Sequence, residues 1–247
     1  MIMGLATYIV NLETSSARRQ YMQGLLEPFS FLDVTFIKAV DGRQMSDSQR
    51  KEAFDYDASM KHYGRYMNEG EVGCALSHRL CYRALLDSDK PFAMVLEDDI
   101  SVIRDWNSLP WDEIEKTLTS SRPRVLFLSG DYWRLSSRSI TPVFDAVGAY
   151  AYIINRAAAE AILSIDKPYV VADDWLAYKR LGIKLFAVYP YAADANLVEA
   201  LVSDVRQDSW MTNHSLMAKS ELARRALPAF IKHVLKTAGL FESKFRG

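Results

Sequence analysis

Short apolar runs alternate with helix-periodic stretches along most of the chain. The runs of strand length are residues 6–10, 34–37, 92–96, 125–128, 149–154 and 184–188. One helical stretch begins at Ala17, and two others cover residues 71–87 and 156–163. Residues 43–70 have the polar, weakly periodic pattern of short helices and loops. Strands that alternate with helices predict an α/β fold, and 247 residues fit one compact domain.

The segment before residue 97 has the clearest pattern. Residues 71–87 place apolar side chains at three- and four-residue spacing, which is typical of a helix packed on a core, and Pro91 ends the pattern. Residues 92–96 (FAMVL) then form an unbroken apolar run. Such a run predicts a strand that is buried on both faces of a mainly parallel sheet.

The charge balance excludes one broad class of function. Lys and Arg number 30 against 31 Asp and Glu, so the chain lacks the basic footprint of a nucleic-acid binding protein. The two cysteines, Cys74 and Cys81, lie too far apart on one predicted helix to bond, which fits a reducing compartment. No apolar run reaches the length of a membrane span, and residues 1–10 lack the basic start of a signal peptide. We therefore expect a soluble cytoplasmic protein, with any membrane contact at the inner face of the cytoplasmic membrane.

The end of the chain differs in charge from the rest. From Lys219 onward seven Lys and Arg stand against two Glu, so residues 219–247 carry +5 and residues 1–218 carry −6. Residues 230–238 place apolar and basic side chains on opposite faces, which predicts an amphipathic helix with Pro228 near its first turn. Two interpretations stay open, because such a helix can lie on an anionic membrane surface or dock on the acidic body. The expected organisation is one domain over 1–218 and a basic helical tail over 219–247.

Three carboxylates, Glu97, Asp98 and Asp99, directly follow the apolar run. Adjacent carboxylates repel one another unless cations or hydrogen-bond donors offset their charge. Open α/β sheets bind ligands at the carboxyl ends of parallel strands, and oxygen ligands suit Mg²⁺ or Mn²⁺, which bridge diphosphates. The alternative is a solvated acidic turn, or carboxylates that are paired with lysines elsewhere.

A second acidic pair, Asp173-Asp174, precedes WLAY and marks a helix start. Carboxylates at the amino end of a helix are favoured by capping and by the helix dipole, so an ordinary N-cap explains the pair. The functional interpretation is that one of the two is a general base beside an acceptor hydroxyl. The pattern does not choose between these two interpretations.

Glu71, Cys74, His78 and Cys81 share one helical face and superficially resemble a metal site. A single straight helix hardly wraps a tetrahedral ion, and no second cluster of His and Cys completes the set, so zinc is not predicted. We expect His78 to be a core or site-edge histidine that Glu71 helps to orient. The chain has no Gly-x-Gly-x-x-Gly, P-loop or Gly-x-Ser-x-Gly motif, which disfavours dinucleotide binding and a serine nucleophile.

Several ordered motifs together make the sequence resemble glycosyltransferase family 25, the lipooligosaccharide galactosyltransferases related to collagen galactosyltransferases. The motifs are YIVNL at 8–12 followed by Arg18-Arg19, AVDG at 39–42, GEVGCALSH at 70–78, LEDD at 96–99, AYII at 151–154 and DDW at 173–175. The resemblance runs from about residue 6 to 205. After Tyr189-Pro190 the chain has YAADAN and then Ser203-Asp204-Val205, where the family usually has a hydrophobic stretch and a Gln before a Ser-Asp-Ile-like element. This departure leaves the acceptor open.

The resemblance implies a GT-A-type fold, which is an α/β sandwich that binds a nucleotide sugar, with a UDP-sugar donor and Mn²⁺ or Mg²⁺ as cofactor. Carried over by position, Glu97 and Asp99 would meet the metal ion and the diphosphate. The residues that the resemblance implies on the donor side are Asn11, Arg18, Asp41, Glu71, His78 and Asp98.

The family is considered inverting, which implies a single displacement in which Asp173 or Asp174 deprotonates the acceptor hydroxyl. Galactose is its commonest donor sugar and a lipooligosaccharide core its acceptor, so the expected activity is galactosyl transfer at the inner membrane face. Two alternatives from other classes remain. The chain could be a non-catalytic protein that binds sugar nucleotides or glycans, or a metal-dependent nucleotide-sugar phosphohydrolase, which would release sugar with or without an acceptor.

Overall fold

A computed structural model describes residues 4–195 and 219–242. The strands are β1 (Leu5–Asn11), β2 (Leu32–Lys38), β3 (Phe92–Glu97), β4 (Ile100–Val102), β5 (Arg124–Phe127), β6 (Tyr132–Arg134), β7 (Ile140–Ala146), β8 (Ala151–Asn155), β9 (Lys184–Val188), β10 (Ala193–Ala195) and β11 (Phe241–Glu242). The helices are α1 (Ser16–Leu26), α2 (Asp47–Ala53), α3 (Tyr56–Tyr63), α4 (Glu69–Asp87), α5 (Trp111–Leu118), α6 (Arg156–Leu163), α7 (Trp175–Lys179) and α8 (Lys219–Thr237).

Nine of these strands form one sheet in the order β11-β6-β7-β9-β5-β8-β3-β1-β2. β1 lies between β2 and β3 and runs parallel to both, so the carboxyl ends of the three strands meet at one edge. β8 instead runs antiparallel to its neighbours β3 and β5. The sheet is therefore mixed. The expectation of a mainly parallel sheet holds for β1 to β3 and fails at β8, because an unbroken apolar run reports burial on both faces and not strand direction.

The sheet separates two apolar cores. Alternation along β3 sends Ala93 and Val95 into one core and Met94 and Leu96 into the other. α4, α6 and α7 pack on the first core, and α1 and α5 pack on the second. The α/β class predicted from the sequence is confirmed by this arrangement.

The amino end of α4 presses on a 3-10 turn at Gly42–Gln44. A methyl group on Gly42 would lie 1.9 Å from the Glu69 carbonyl oxygen, and one on Gly73 would lie 2.5 Å from the Val40 carbonyl oxygen. Only residues without a side chain allow so close an approach. The contact joins the loop after β2 to α4 as one wall of a cavity at the sheet edge.

The basic tail begins with α8 and returns to the body through β11, which pairs with β6. Pro228 lies inside α8 and not in its first turn, so that expectation is wrong. The helix starts earlier because the residues before the proline include good helix formers such as Glu221, Leu222 and Ala223. Across residues 4–195 and 219–242, none of the helices combines the length and apolar composition that crossing a membrane requires.

Candidate active site

A cavity of about 400 Å³ opens at the carboxyl ends of β1 and β3. The loop after β2 and α4, which pack on each other, together form one wall of this cavity. Six of the side chains predicted on the donor and metal side line it: Arg18, Asp41, His78, Glu97, Asp98 and Asp99. Asn11 lies next to the cavity, whereas Glu71, Asp173 and Asp174 are not part of its lining.

Asp98 is held by two donors from the first strand and helix. Asn11 Nδ2 donates to Asp98 Oδ2 at 2.7 Å, and Arg18 donates to Asp98 Oδ1 at 3.0 Å. The same guanidinium is 3.6 Å from Asp99 Oδ2. The alternative of lysine partners does not apply to this carboxylate, because an asparagine and an arginine compensate it.

Asp99 is a buried carboxylate whose pKa is shifted by its surroundings. Burial raises its pKa well above the ordinary value, the negative charge of Glu97 raises it further, and Arg18 offsets only part of the effect. Arg18 is shared by Asp98 and Asp99, so the three carboxylates that line the cavity have a deficit of positive charge. Glu97 and Asp99 therefore fit a divalent cation, as oxygen ligands that line a cavity that could hold a diphosphate.

Asp41 caps the 3-10 turn at the cavity rim. Its Oδ1 accepts from the backbone N–H of Arg43 and from the Arg43 side chain at 2.9 Å. The hydrogen bond from the Arg43 side chain holds the pKa of Asp41 below its usual value. Asp41 thus shapes the loop that covers the cavity, and direct contact with a nucleotide stays a prediction.

Glu71 lies outside the cavity in the first turn of α4. Its carboxylate accepts two hydrogen bonds from Arg65, at 2.6 and 2.8 Å, and one from the backbone N–H of Asn68. Glu71 therefore fixes the start of α4 and does not orient His78, which corrects that expectation. The residue that orients His78 is Tyr152, whose Oη lies 2.8 Å from His78 Nδ1.

A second cleft, of about 830 Å³, contains the late acidic pair. Asp174 caps α7 by accepting from the Ala177 N–H at 3.0 Å, and its Oδ2 also lies 2.8 Å from His62 Nε2 and 2.7 Å from Tyr63 Oη. Burial alone would raise the pKa of Asp174, but the contacts with His62 and Tyr63 outweigh burial and lower the pKa. Asp174 is a fully partnered anion.

Asp173 has a different environment. Its Oδ2 accepts one hydrogen bond, from the Gly148 N–H at 3.1 Å. Burial raises the pKa of Asp173 to about 6, and the charges of Asp174 and Glu97 add to the effect. Asp173 accepts from the Gly148 N–H, and the Glu97 N–H donates to the Tyr150 carbonyl oxygen, so residues 148–150 connect the acidic pair of the second cleft to the acidic cluster of the first cavity.

The tail forms part of the second cleft, through Pro228, Ala229 and Lys232 of α8. Lys232 forms an ion pair with Asp145, a buried residue of β7, and its ammonium group lies 4.4 Å from the ring centroid of Trp133. The described part of the tail is thus docked on the body.

Three residues at or behind the two clefts were not predicted from the sequence. His62 and Tyr63 had no signal, because each is a single polar or aromatic residue in an otherwise ordinary segment. Tyr152 lies in the AYII motif, but the motif did not indicate its contact with His78. The segment Ser203-Asp204-Val205, which departs from the family pattern, lies outside the described residues.

An α/β sheet with carboxylates at a strand end beside two clefts is typical of proteins that bind phosphate-containing ligands with a cation. Residues 5–129, slightly more than half of the chain, match the model of glycosyltransferase family 25 (LPS biosynthesis protein). The chain belongs to glycosyltransferase family 25.

Individual relatives cover different parts of the chain. A glycosyltransferase 25 family member of Aedes aegypti is 36% identical over 96 residues, which are 38% of this chain but only 16% of that protein. Procollagen galactosyltransferase 2 of Homo sapiens is 29% identical over 97 residues, again 38% of this chain and 15% of the relative. A putative glycosyltransferase of Haemophilus influenzae is 23% identical over 185 residues, 70% of this chain and 62% of that protein. The chain therefore spans only a small part of the animal relatives.

Similarity to solved structures is weaker. A197 from STIV has a TM-score of 0.43 and 11% identity, and covers 75% of this chain and 82% of its own. A putative glucose-1-phosphate thymidylyltransferase from Bacillus anthracis has a TM-score of 0.40 and 12% identity, with 75% and 87% covered. At these scores neither structure informs the fold or the activity of this chain.

Proposed function

We propose that this chain is an inverting glycosyltransferase that moves a sugar from a UDP-sugar to a hydroxyl group of a lipooligosaccharide core. Galactose is the first sugar to test, because relatives named procollagen galactosyltransferase share the matched region. The observation that carries the proposal is a pair of clefts with acidic linings, one with Glu97 and Asp99 and the other with Asp173, that are connected through residues 148–150. A transfer reaction needs a donor site and an acceptor site that meet at the reacting atoms.

The first cavity is the proposed donor site. Its volume lies within the range of about 300–1,000 Å³ that small-molecule sites occupy. Glu97 and Asp99 would hold Mn²⁺ or Mg²⁺, and the bound ion would supply positive charge that stabilises the leaving diphosphate. Arg18 would remain beside the phosphates, while Asn11 keeps Asp98 turned towards that arginine.

Asp173 is the proposed general base, and Asp174 positions it. A base works best when its pKa is near the operating pH, and the pKa of Asp173 is raised to about 6. Asp174 is unsuitable because its oxygens are occupied by His62, Tyr63 and the Ala177 N–H, and its pKa is lowered. In the proposed step, Asp173 takes the proton of the acceptor hydroxyl while that oxygen attacks the anomeric carbon, and the bond from this carbon to the diphosphate oxygen breaks to release UDP.

The acceptor would enter through the second cleft beside α8. Leu227, Phe230 and Val234 of this helix are exposed large apolar side chains. They support a contact between α8 and an anionic membrane surface, with the enzyme at the cytoplasmic face of the inner membrane. That location would bring the second cleft close to a lipid-anchored acceptor.

The test is UDP release from a panel of UDP-sugars, with and without Mn²⁺ and with truncated lipooligosaccharide as acceptor. We expect release that requires both the metal and the acceptor, and that Asp99→Asn and Asp173→Asn abolish. Asp89→Asn is the matched control, since Asp89 is exposed at the opposite end of β3. Release of UDP that is indifferent to the acceptor would point to hydrolysis of the donor instead of transfer. Binding of UDP-sugar without release under any condition would identify a binding protein.

A further inference from the structure

Three possible metal ligands from two elements meet at the cavity. Cys74 and His78 lie one turn apart on α4, and Glu97 ends β3. The Cys74 sulfur, a His78 ring nitrogen and a Glu97 carboxylate oxygen all lie within 4.8 Å of one another. All three residues also line the cavity, so an ion among them would be accessible to a ligand.

His78 is the most informative of the three, because its side chain is buried, with 1% exposed, and only one of its two ring nitrogens has a hydrogen-bond partner among the described residues. Its Nδ1 lies 2.8 Å from Tyr152 Oη, which in turn lies 2.7 Å from Tyr82 Oη. Its Nε2 is buried without a hydrogen-bond partner among the described residues, and it points at Glu97 Oε1 at 3.6 Å. A buried polar atom without a hydrogen-bond partner destabilises the folded protein, so its retention calls for a ligand.

The hydrogen bond between His78 and Tyr152 resembles the one that orients a metal-binding histidine. Such a histidine donates one ring N–H to an oxygen, and this fixes the ring and leaves the other nitrogen as a lone pair for the ion. If Nδ1 donates to Tyr152, Nε2 carries a lone pair that faces a carboxylate oxygen. Two acceptors that face each other are held together only by a cation between them, either a proton or a metal ion.

We infer that Cys74, His78 and Glu97 bind a divalent transition-metal ion at the inner end of the donor cavity. A thiolate, an imidazole and a carboxylate favour Zn²⁺ or Co²⁺ over Mg²⁺, which prefers oxygen ligands alone. Three protein ligands and one side open to the cavity also match sites that keep a coordination position for a ligand. The helix face alone is insufficient for such a site, and the third ligand comes from the end of β3.

The inference requires no transferase activity, and it shares only Glu97 with the ion site of the proposed function. Cys81 provides an internal control. It is the other cysteine of the chain, it lies on the same helix and is fully buried in the core, and it is not part of the cluster.

The experiment is a Co²⁺ titration of the full chain, without donor or acceptor, followed by the absorbance of the thiolate-to-cobalt charge-transfer band. We expect the wild type and Cys81→Ala to develop the band with one equivalent of Co²⁺, and millimolar Mg²⁺ not to remove it. Cys74→Ala should lose the band, and His78→Gln should bind Co²⁺ at least ~10-fold more weakly. Tyr152→Phe should weaken binding about 10-fold, which is the usual effect of losing a residue that orients a metal ligand.

Three results would overturn the inference. They are a wild type without the band, a band that survives in Cys74→Ala, and equal Co²⁺ affinity of the wild type and His78→Gln. Asp99→Asn separates the two proposals, because it should impair metal-dependent UDP release and keep the charge-transfer band. Melting temperatures in EDTA establish that each variant is folded before the titration.

Discussion

Replacing Asp173 and Asp174 one at a time by Asn should change the free energy of unfolding in opposite directions. Both changes keep the size of the side chain and remove one negative charge. The two carboxylates are adjacent in sequence, but one is held in a site that disfavours its charge and the other in a site that requires it. The comparison therefore separates a reactive acid from a structural one.

Asp173→Asn is expected to stabilise the protein at neutral pH. A rise of the pKa from 3.8 to about 6 means that ionising this carboxyl in the folded state costs at most ~3 kcal/mol relative to the unfolded chain. Some water reaches the half-buried side chain, so ~1–3 kcal/mol is the expected gain. The amide oxygen of Asn can still accept from the Gly148 N–H, so no hydrogen bond needs to be lost.

Asp174→Asn is expected to destabilise the protein by ~2–4 kcal/mol. Hydrogen bonds to a charged group contribute ~1.5–3 kcal/mol each, and an Asn whose oxygen caps α7 presents an NH2 group, in place of Asp174 Oδ2, to His62 and Tyr63. Asn remains a good N-cap, so α7 itself should persist. The loss therefore reports the broken network and not an unfolded helix.

The pH dependence of the free energy of unfolding is a second test of the predicted opposite effects. The pKa of Asp173 is raised in the folded protein, so the folded state is favoured below about pH 4, where the carboxyl is neutral. This contribution is lost as the pH rises through 6 and the buried carboxyl ionises. The gain from Asp173→Asn should therefore disappear at pH 4 and be complete at pH 7. The pKa of Asp174 is lowered, so the loss from Asp174→Asn should persist at both pH values and fade only under strongly acidic conditions.

The assay is thermal and urea unfolding of both variants and the wild type in EDTA, at pH 4 and 7. For a chain of this size ~1 kcal/mol moves the melting temperature by about 2–4 °C, which is readily resolved. Turnover of Asp173→Asn should fall by ~10²–10⁴-fold while UDP binding survives. The reasoning is refuted if Asp173→Asn destabilises at pH 7, or if its turnover stays near that of the wild type.

Three further changes test other parts of the molecule. Gly73→Ala should destabilise by ~2–3 kcal/mol, whereas Gly24→Ala, in an exposed helix position with nothing within 4 Å, should stabilise by about 0.5–1 kcal/mol; thermal unfolding compares the two. Arg18→Gln should lower stability by ~1–3 kcal/mol in EDTA, and Mn²⁺ should restore much of it, because the ion replaces the lost positive charge. Lys232→Gln leaves the buried Asp145 without its lysine, and burial raises the pKa of this carboxyl, so limited proteolysis should cleave α8 faster at pH 8 than at an acidic pH that protonates Asp145 and relieves the penalty. Proteolysis that is equally fast at both pH values would contradict this explanation.

The sequence was most informative where a pattern records burial along one element. The apolar run of β3 predicted a strand buried on both faces, and both of its faces are covered by cores. The position of Glu97 to Asp99 followed from that strand, since its end had to lie at an edge of the sheet. The helical spacing of 71–87 likewise predicted α4, although the capping box between Asn68 and Glu71 starts the helix two residues earlier.

Features that depend on distant partners could not be predicted in this way. Nothing in the residues of β8 records that it runs antiparallel between β3 and β5. Asp173 and Asp174 are alike in sequence, and the contacts that lower the pKa of Asp174 come chiefly from His62 and Tyr63, more than a hundred positions away. The contact between His78 and Tyr152 is also long-range. The helical pattern of 71–87 therefore could not predict the direction in which His78 Nε2 points.

The position of α8 explains part of the uneven charge along the chain, because this basic helix packs against the acidic body. One side of this helix contributes Lys232 to the second cleft and pairs with the buried Asp145, so part of its positive charge is used within the protein. Leu227, Phe230 and Val234 are exposed on the same helix. Under the proposed function, these two roles belong together: a cleft wall and an apolar surface on one helix would let a lipid-anchored acceptor reach Asp173 without leaving the membrane. Polar substitution of the three exposed side chains should then reduce transfer to lipid-anchored acceptor in vesicles and leave transfer to a water-soluble core oligosaccharide unchanged, while equal loss with both acceptors would argue against a membrane role for α8.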